Sequence, residues 1–196
     1  MIALSLGGCG GRSPDVTFYT LSTLPPGSSP AAAPGIALAV GPTEFPRTLS
    51  RTQIVTRSGP NKLNIDEFNR WAGRLDENFA RVLAENISLL LDTDQVAVYP
   101  WQTDFKPRYR IALKINYFEG QWGKDVLLEA IWSVTEQQNQ STHSMWKTAV
   151  NEPLSAEPDY EALVAAHSRA IAQLSREIAD LFDQYLIYRP EQVLAW

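Results

Sequence analysis

Cys9 is the one residue whose type and setting point to a specific chemistry. It is the chain's only cysteine and sits in Leu6-Gly7-Gly8-Cys9-Gly10-Gly11. Leu6 lies three residues before it, and Gly7 and Gly8 are small enough for a narrow peptidase cleft. A short apolar start closing on a cysteine in this way is what a bacterial lipoprotein signal looks like. It predicts that Cys9 becomes the lipid-carrying first residue of the mature chain. A secretory signal also has a basic n-region ahead of an apolar stretch of about 7–15 residues. No Lys or Arg precedes Arg12, so the expectation is a natural start further upstream. The alternative is a free cysteine near a frayed terminus.

The other residues that could do chemistry are few. His143 and His167 are the only histidines, and neither belongs to an HExxH pattern. His167 falls on an apolar helical stripe, where a core histidine bonded to backbone is the simpler reading. Asp92-Thr93-Asp94 lacks the glycine and distal glutamate of a calcium loop and reads as a helix end. Neither a GxSxG elbow nor a phosphate-cradling glycine loop is present. Acidic pairs such as Glu152 with Glu157 have nothing to single them out. The sequence thus predicts no catalytic residue, no metal site and no cofactor. Six tryptophans are many for this length: Trp71, Trp101, Trp122, Trp132, Trp146 and Trp196. Trp132 belongs to a core pattern. Trp122 lies in a glycine-flanked connection and Trp196 ends the chain, which makes these two candidate contacts for a partner or lipid.

The elements that must carry these residues follow from composition and periodicity. The 196 residues are 44% hydrophobic and 20% charged, with a net charge of −5, which suits one packed domain with a tether. A mildly acidic chain without a dense Lys/Arg stripe argues against nucleic acid. A single cysteine permits no internal disulfide. Three segments are expected: residual signal peptide over 1–8, lipidated Cys9 and a Pro/Gly/Ala-rich flexible tether over 9–35, and a folded domain over 36–196. Within the tether, Thr17-Phe18-Tyr19-Thr20-Leu21 reads as a short strand packed back on the domain.

Ile36 to Val40 alternates as a strand that Gly41-Pro42 ends. Arg51–Arg57 and Lys62–Ile65 suggest a hairpin across Ser58-Gly59-Pro60-Asn61. A helix with Asp76 as N-cap presents Phe79, Val82, Leu83, Ile87 and Leu90 on one face. Val96–Tyr99 is a short strand. Tyr109, Ile111, Leu113, Ile115 and Tyr117 give one core face, and Val126, Leu128, Ala130, Trp132 and Val134 the next. Thr142–Val150 completes a meander. Asp159–Tyr185 is an amphipathic helix long enough to cover a sheet. The expected fold is α+β: a single mixed or mostly antiparallel sheet covered by two helices, behind an extended N-terminal tether.

With these residues in view, the chain resembles the auxiliary lipoproteins of ABC-type and MCE-type intermembrane transport systems, of the PqiC type. The resemblance rests on Phe18-Tyr19-Thr20-Leu21 after the cysteine and on Ile54-Val55-Thr56-Arg57 running into Asn61-Lys62-Leu63. It is most specific at Glu67-Phe68-Asn69-Arg70-Trp71-Ala72-Gly73-Arg74-Leu75, with Asn78-Phe79, Arg81-Val82-Leu83 and Asn86. Tyr99-Pro100-Trp101 and Leu174-Ser175-Arg176-Glu177-Ile178 extend it over nearly the whole chain.

The resemblance implies a non-enzymatic accessory lipoprotein with a periplasmic domain held to a membrane by acylated Cys9. Its expected partners are an MCE-type periplasmic protein and the inner-membrane components of a phospholipid transport system, and homo-oligomers are compatible with it. Gly10 after the cysteine points, in family terms, to the outer membrane. Two other functions share the tether logic. One is a lipid-binding shuttle with an apolar groove. The other is an activator of envelope assembly or of a cell-wall synthase.

Overall fold

A computed structural model describes residues 14–27, 35–102, 104–138, 141–154 and 159–183. Cys9, the 1–8 segment and Trp196 lie outside the described residues, as does the side chain of His143. The fold is α+β, an eight-stranded mixed sheet with two helices. In chain order the strands are β1 (Thr17–Tyr19), β2 (Leu38–Glu44), β3 (Gln53–Gly59), β4 (Lys62–Trp71), β5 (Val96–Val98), β6 (Tyr109–Gln121), β7 (Asp125–Glu136) and β8 (Ser141–Pro153). Helix α1 spans Leu75–Leu91, between β4 and β5, and α2 spans Tyr160–Leu181, after β8.

The long strand β6 is the spine of the sheet. One edge pairs antiparallel with β7, which pairs antiparallel with β8. The other edge is divided. Its first half takes β2 in parallel, from Leu38 opposite Tyr109 to Glu44 opposite Lys114. Its last residues take β3 in parallel, Thr56 opposite Gly120 and Arg57 opposite Gln121. Beyond β2 lies β5, parallel to it. Beyond β3 come β4, antiparallel, and then β1, parallel, which makes β1 a terminal strand.

The helices cover one face of this sheet, α2 over β6–β8 and α1 over β2 and β5. Alternation sorts the strands. Val126, Leu128, Ala130, Trp132 and Val134 of β7 are buried beneath α2, whereas Leu127 is exposed on the far side. In α1, Phe79, Val82, Leu83 and Ile87 are fully buried. The Phe79 and Phe118 rings meet edge to face at 5.2 Å, a geometry that aromatic quadrupoles favour. At Gly120, β6 runs close beneath α2: a Cβ there would meet the Leu163 Cδ1 methyl, which would have to turn aside.

Several boundaries depart from the periodic reading. The β6 alternation holds through Ile115 and then slips at a bulge between Ile115 and Tyr117. The extra residue, Asn116, donates its amide to Glu129 Oε1 at 2.9 Å. Tyr117 is therefore exposed, and Phe118 takes the core position expected of it. Strand β4 is longer than its Lys62–Ile65 core and reaches Trp71, because the Asp66 side chain organises an irregularity in its middle. Asp66 Oδ1 accepts from the N–H groups of Phe68 and Asn69 at 2.8 and 2.7 Å.

Strand β2 continues past Gly41-Pro42, and its register against β6 shifts between Val40 and Thr43. The cap position of α1 is Arg74, not Asp76. Asp76 and Glu77 occupy the first helical turn, where their charge suits the dipole and pairs with Arg74.

Candidate functional site: the fastened N-terminal strap

The segment between β1 and Gly27 is held by side chains instead of a ladder. Trp71, the last residue of β4, lies opposite Tyr19, and the Ala72 N–H donates to the Tyr19 carbonyl at 2.8 Å. The chain then crosses both helices as a strap, Leu21-Ser22-Thr23-Leu24. Its Leu21 N–H donates to Asn78 Oδ1 at 2.9 Å, Ser22 N–H to Ser168 Oγ at 3.1 Å and Leu24 N–H to Asn86 Oδ1 at 2.7 Å. Leu21 and Leu24 are buried.

Asn86 is fully enclosed, and its Nδ2 reaches Ser175 Oγ at 3.2 Å, which ties α1 to α2 beneath the strap. Ser168 and Ser175 each donate back to the carbonyl four residues earlier, at 2.9 and 2.7 Å, leaving an oxygen free to accept. A strap without neighbouring strands needs such partners, since a buried N–H left unpaired costs about 1–3 kcal/mol.

Beside the strap lies an aromatic chain. Trp122, in the turn between β6 and β7, is 45% exposed. Its ring leans on Tyr160 with centroids 4.8 Å apart, and Tyr160 lies 6.0 Å from Tyr19 of β1. The Tyr160 hydroxyl donates to Asp66 Oδ2 at 2.7 Å, and the Tyr19 hydroxyl to Asn69 Oδ1 at 3.0 Å. Burial acts to raise the Asp66 pKa, but hydrogen bonds from Tyr160, the Asn69 and Phe68 amides and the Asn69 side chain hold it below the ordinary carboxylate value. Desolvation, then the bond to Asp66, push the Tyr160 phenol well above its usual range. The tyrosine is thus a fixed donor at any physiological pH.

His167 lies beneath this region, buried, with Nδ1 2.8 Å from the Leu163 carbonyl oxygen. A carbonyl only accepts, so this nitrogen carries the proton. The Trp71 and Phe118 rings meet the imidazole edge-on at 5.6 and 4.7 Å. Burial lowers the His167 pKa to about 4, against backbone hydrogen bonds that act to raise it. This is a structural histidine, as its place on the apolar stripe suggested. Among the described residues no group of three or more His, Cys, Asp or Glu side chains could hold a metal ion. No described helix is long and apolar enough to cross a membrane.

Of the three candidate site residues, Cys9, Trp122 and Trp196, the described residues include Trp122, which is exposed and beside β1's aromatic neighbours. Cys9 and Trp196 fall outside the described residues. Asn78, Asn86 and Ser168 went unnoticed as a clamp, although Asn78 and Asn86 belong to the segment that carries the resemblance. Two asparagines eight residues apart lie within about a quarter turn of each other on a helix. An amide on an otherwise apolar helix face was the available signal.

Comparison with known proteins gives this geometry a family. The profile described as "ABC-type transport auxiliary lipoprotein component" matches residues 19–179, from β1 almost to the end of α2. The chain belongs to that family. It is similar to the crystal structure of a Xanthomonas campestris protein of the DUF330 family, with a TM-score of 0.67, 20% identity, and 85% of this chain and 95% of the other covered. A second solved structure, of an uncharacterised protein, gives a TM-score of 0.64 at 20% identity, covering 85% of this chain and 98% of that one. At such identities these likenesses show the fold. A 24-residue stretch is 75% identical to the RecBCD enzyme subunit RecC of Haemophilus influenzae. It covers 12% of this chain and 2% of that protein, and carries no functional argument.

Proposed function

We propose that this protein is a non-enzymatic, acyl-anchored accessory component of an MCE/ABC-type lipid transport system. Its domain hangs from the outer membrane into the periplasm and docks onto the system's MCE-type periplasmic protein. Family membership supplies the transport-auxiliary lipoprotein class. The observation that carries the anchoring half is the strap. The chain that follows Cys9 is bonded to α1 through Asn78 and Asn86 and to α2 through Ser168. A lipid on Cys9 would thereby be joined to the rigid body instead of to a trailing loop. Several acyl chains on one cysteine would hold it stably, where one chain holds a protein only marginally. Trp122, exposed in the β6–β7 turn, is the proposed contact for partner or lipid.

Radioactive palmitate tests the anchor: the full-length precursor should incorporate label, and Cys9→Ala should abolish it. Label that survives the substitution, or none in the parent, defeats the anchor. Pull-down of the tagged chain from its own cells should recover an MCE-type protein. Recovery of a cell-wall synthase instead would favour the envelope-activator function.

A lipid-shuttle reading has one observation behind it. A solvent-open cleft of about 430 Å³ runs between the strap and α2, with Leu24, Pro25, Ala165 and Ala172 along it and Arg169 and Arg176 in its lining. Native mass spectrometry of the detergent-free protein should show bound phospholipid if that cleft carries cargo.

A further inference from the structure

The terminal strand β1 concentrates exposed apolar side chains at the place where the chain leaves the body toward Cys9. The parallel register sets Thr17 opposite Asn69, Phe18 opposite Arg70 and Tyr19 opposite Trp71. Strand alternation then divides the residues cleanly. Tyr19 and Trp71 turn toward the helix-covered core. Val16, Phe18, Phe68 and Arg70 turn to the uncovered side. There Phe18 is 63% exposed, Phe68 43% and Val16 42%, while Ile65, on the same side of β4, is 40% exposed. Beyond Ile65 the Arg57–Glu119 ion pair, at 2.6 Å, interrupts the apolar surface. Nothing in the core requires two phenylalanines here. Truncating either would cost the fold little, which is unusual for an aromatic residue in a small domain.

We propose that this β1–β4 patch is a membrane-contact surface, with Phe18 and Phe68 inserting into the interfacial layer of the bilayer that holds the acyl anchor. The proposal rests on Cys9 being that anchor. Chain length selects the occupant. Cys9 to Val16 is seven residues, which span at most about 24 Å even when fully extended. The patch is thus held within reach of the headgroups whatever the body does. It also adjoins the point from which the chain runs to Cys9, so the anchor keeps it near the bilayer. Phenylalanine on an otherwise polar surface is suited to this depth, where apolar faces sink about 5–10 Å into the headgroup and acyl boundary. Arg70, the register partner of Phe18, lies on the same side; its Nε donates to the Glu67 carbonyl at 2.9 Å and it pairs with the Glu67 carboxylate at 3.5 Å, a surface pair that lipid phosphate would have to compete with.

The test couples the full chain through its single Cys9 thiol to maleimide-headgroup phospholipid in vesicles of phosphatidylethanolamine and phosphatidylglycerol. Hydrogen–deuterium exchange is then compared with that of the uncoupled chain. Amides in 15–19 and 65–70 should exchange about tenfold or more slowly on vesicles. The slowing should vanish in a Phe18→Ser/Phe68→Ser chain coupled to the same extent and shown by circular dichroism to be folded. No vesicle-dependent slowing, slowing that survives the double substitution, or slowing centred on β8 instead would each overturn the proposal. Slowing that follows protein concentration without vesicles assigns the patch to a second copy of the chain and overturns it too. The coupling is chemical, so the outcome does not depend on acylation in cells, which palmitate labelling reports separately.

Discussion

The meander β6–β8 with its covering helix and the strap with β1 are two regions built on opposite principles. In the meander, the backbone supplies the hydrogen bonds along a nearly continuous ladder, and side chains are left to pack. Phe118, Leu128, Trp132, Val134 and Ile171 need no polar partner except at the Trp132 indole, which donates to Thr148 Oγ1 at 3.0 Å. In the strap the roles reverse. Three backbone N–H groups are satisfied by side chains from two helices, and only Leu21 and Leu24 contribute burial. The meander is stabilised by many interchangeable contacts. The strap depends on a few residues that cannot be exchanged.

The largest test of that contrast is in the core. Phe118→Ala removes a buried ring that touches Phe79, Phe45 and His167, and should cost about 3–5 kcal/mol in urea unfolding. The loss should be global, because β6 joins every part of the sheet. A loss confined to one end would break the division.

His167 is second. Its pKa of about 4 lies below the unfolded value near 6.5. Between those values the unfolded chain binds the extra proton, so stability is fully present above about pH 6.5 and falls as pH drops toward 4. The fall should approach about 3 kcal/mol. H167Q should flatten the plot of unfolding free energy against pH in that window, and an unchanged slope would assign the loss to other groups. The stability that Asp66 contributes through its lowered pKa is present above its unfolded value of about 3.9 and is lost only as pH falls below it.

The strap comes third. Asn86→Ala orphans the Leu24 N–H and the Ser175 hydroxyl contact and should cost about 1–3 kcal/mol. Hydrogen exchange at 21–24 should quicken while β7 stays protected. Equal quickening in both would mean that the strap and the meander unfold as one unit. The smallest effect lies on the open face of the meander, where Lys147 pairs with Glu129 at 2.9 Å. Lys147→Ala should lower the unfolding free energy from urea titration by less than about 1 kcal/mol, the value of an exposed pair.

The two regions also differed in how far the sequence could be read. Alternation located β6 and β7 and put Trp132 in the core, because a half-buried strand writes its faces into every second residue. It failed where one residue was inserted. Nothing local distinguishes the Asn116 bulge, so Tyr117 and Phe118 exchanged places. Strand β4 was under-read because Asp66 replaces part of its ladder with its own carboxylate. Of the island Thr17–Leu21, read as a strand, Thr17–Tyr19 is one, but the strap that begins at Leu21 was not legible. Proline and glycine at Pro25-Pro26-Gly27 look like spacer, and the partners that fasten the strap lie 57, 62 and 146 residues away in the chain. Periodicity carries no information about such pairs. The expectation at Cys9 rests on the residue types around it and on no folding pattern.

The order of attachment along the N-terminal segment has a mechanical consequence. Load arriving from residue 9 meets β1 before it meets the strap, and β1 is only three residues long. Detaching it from β4 would lengthen the linkage by about 10 Å while Asn78, Ser168 and Asn86 still grip the chain and the core stays closed. The segment is a two-stage release, in which a small yield precedes failure. Force spectroscopy on the chain pulled from residue 9 should record a short extension at low force, well ahead of the rupture of the domain.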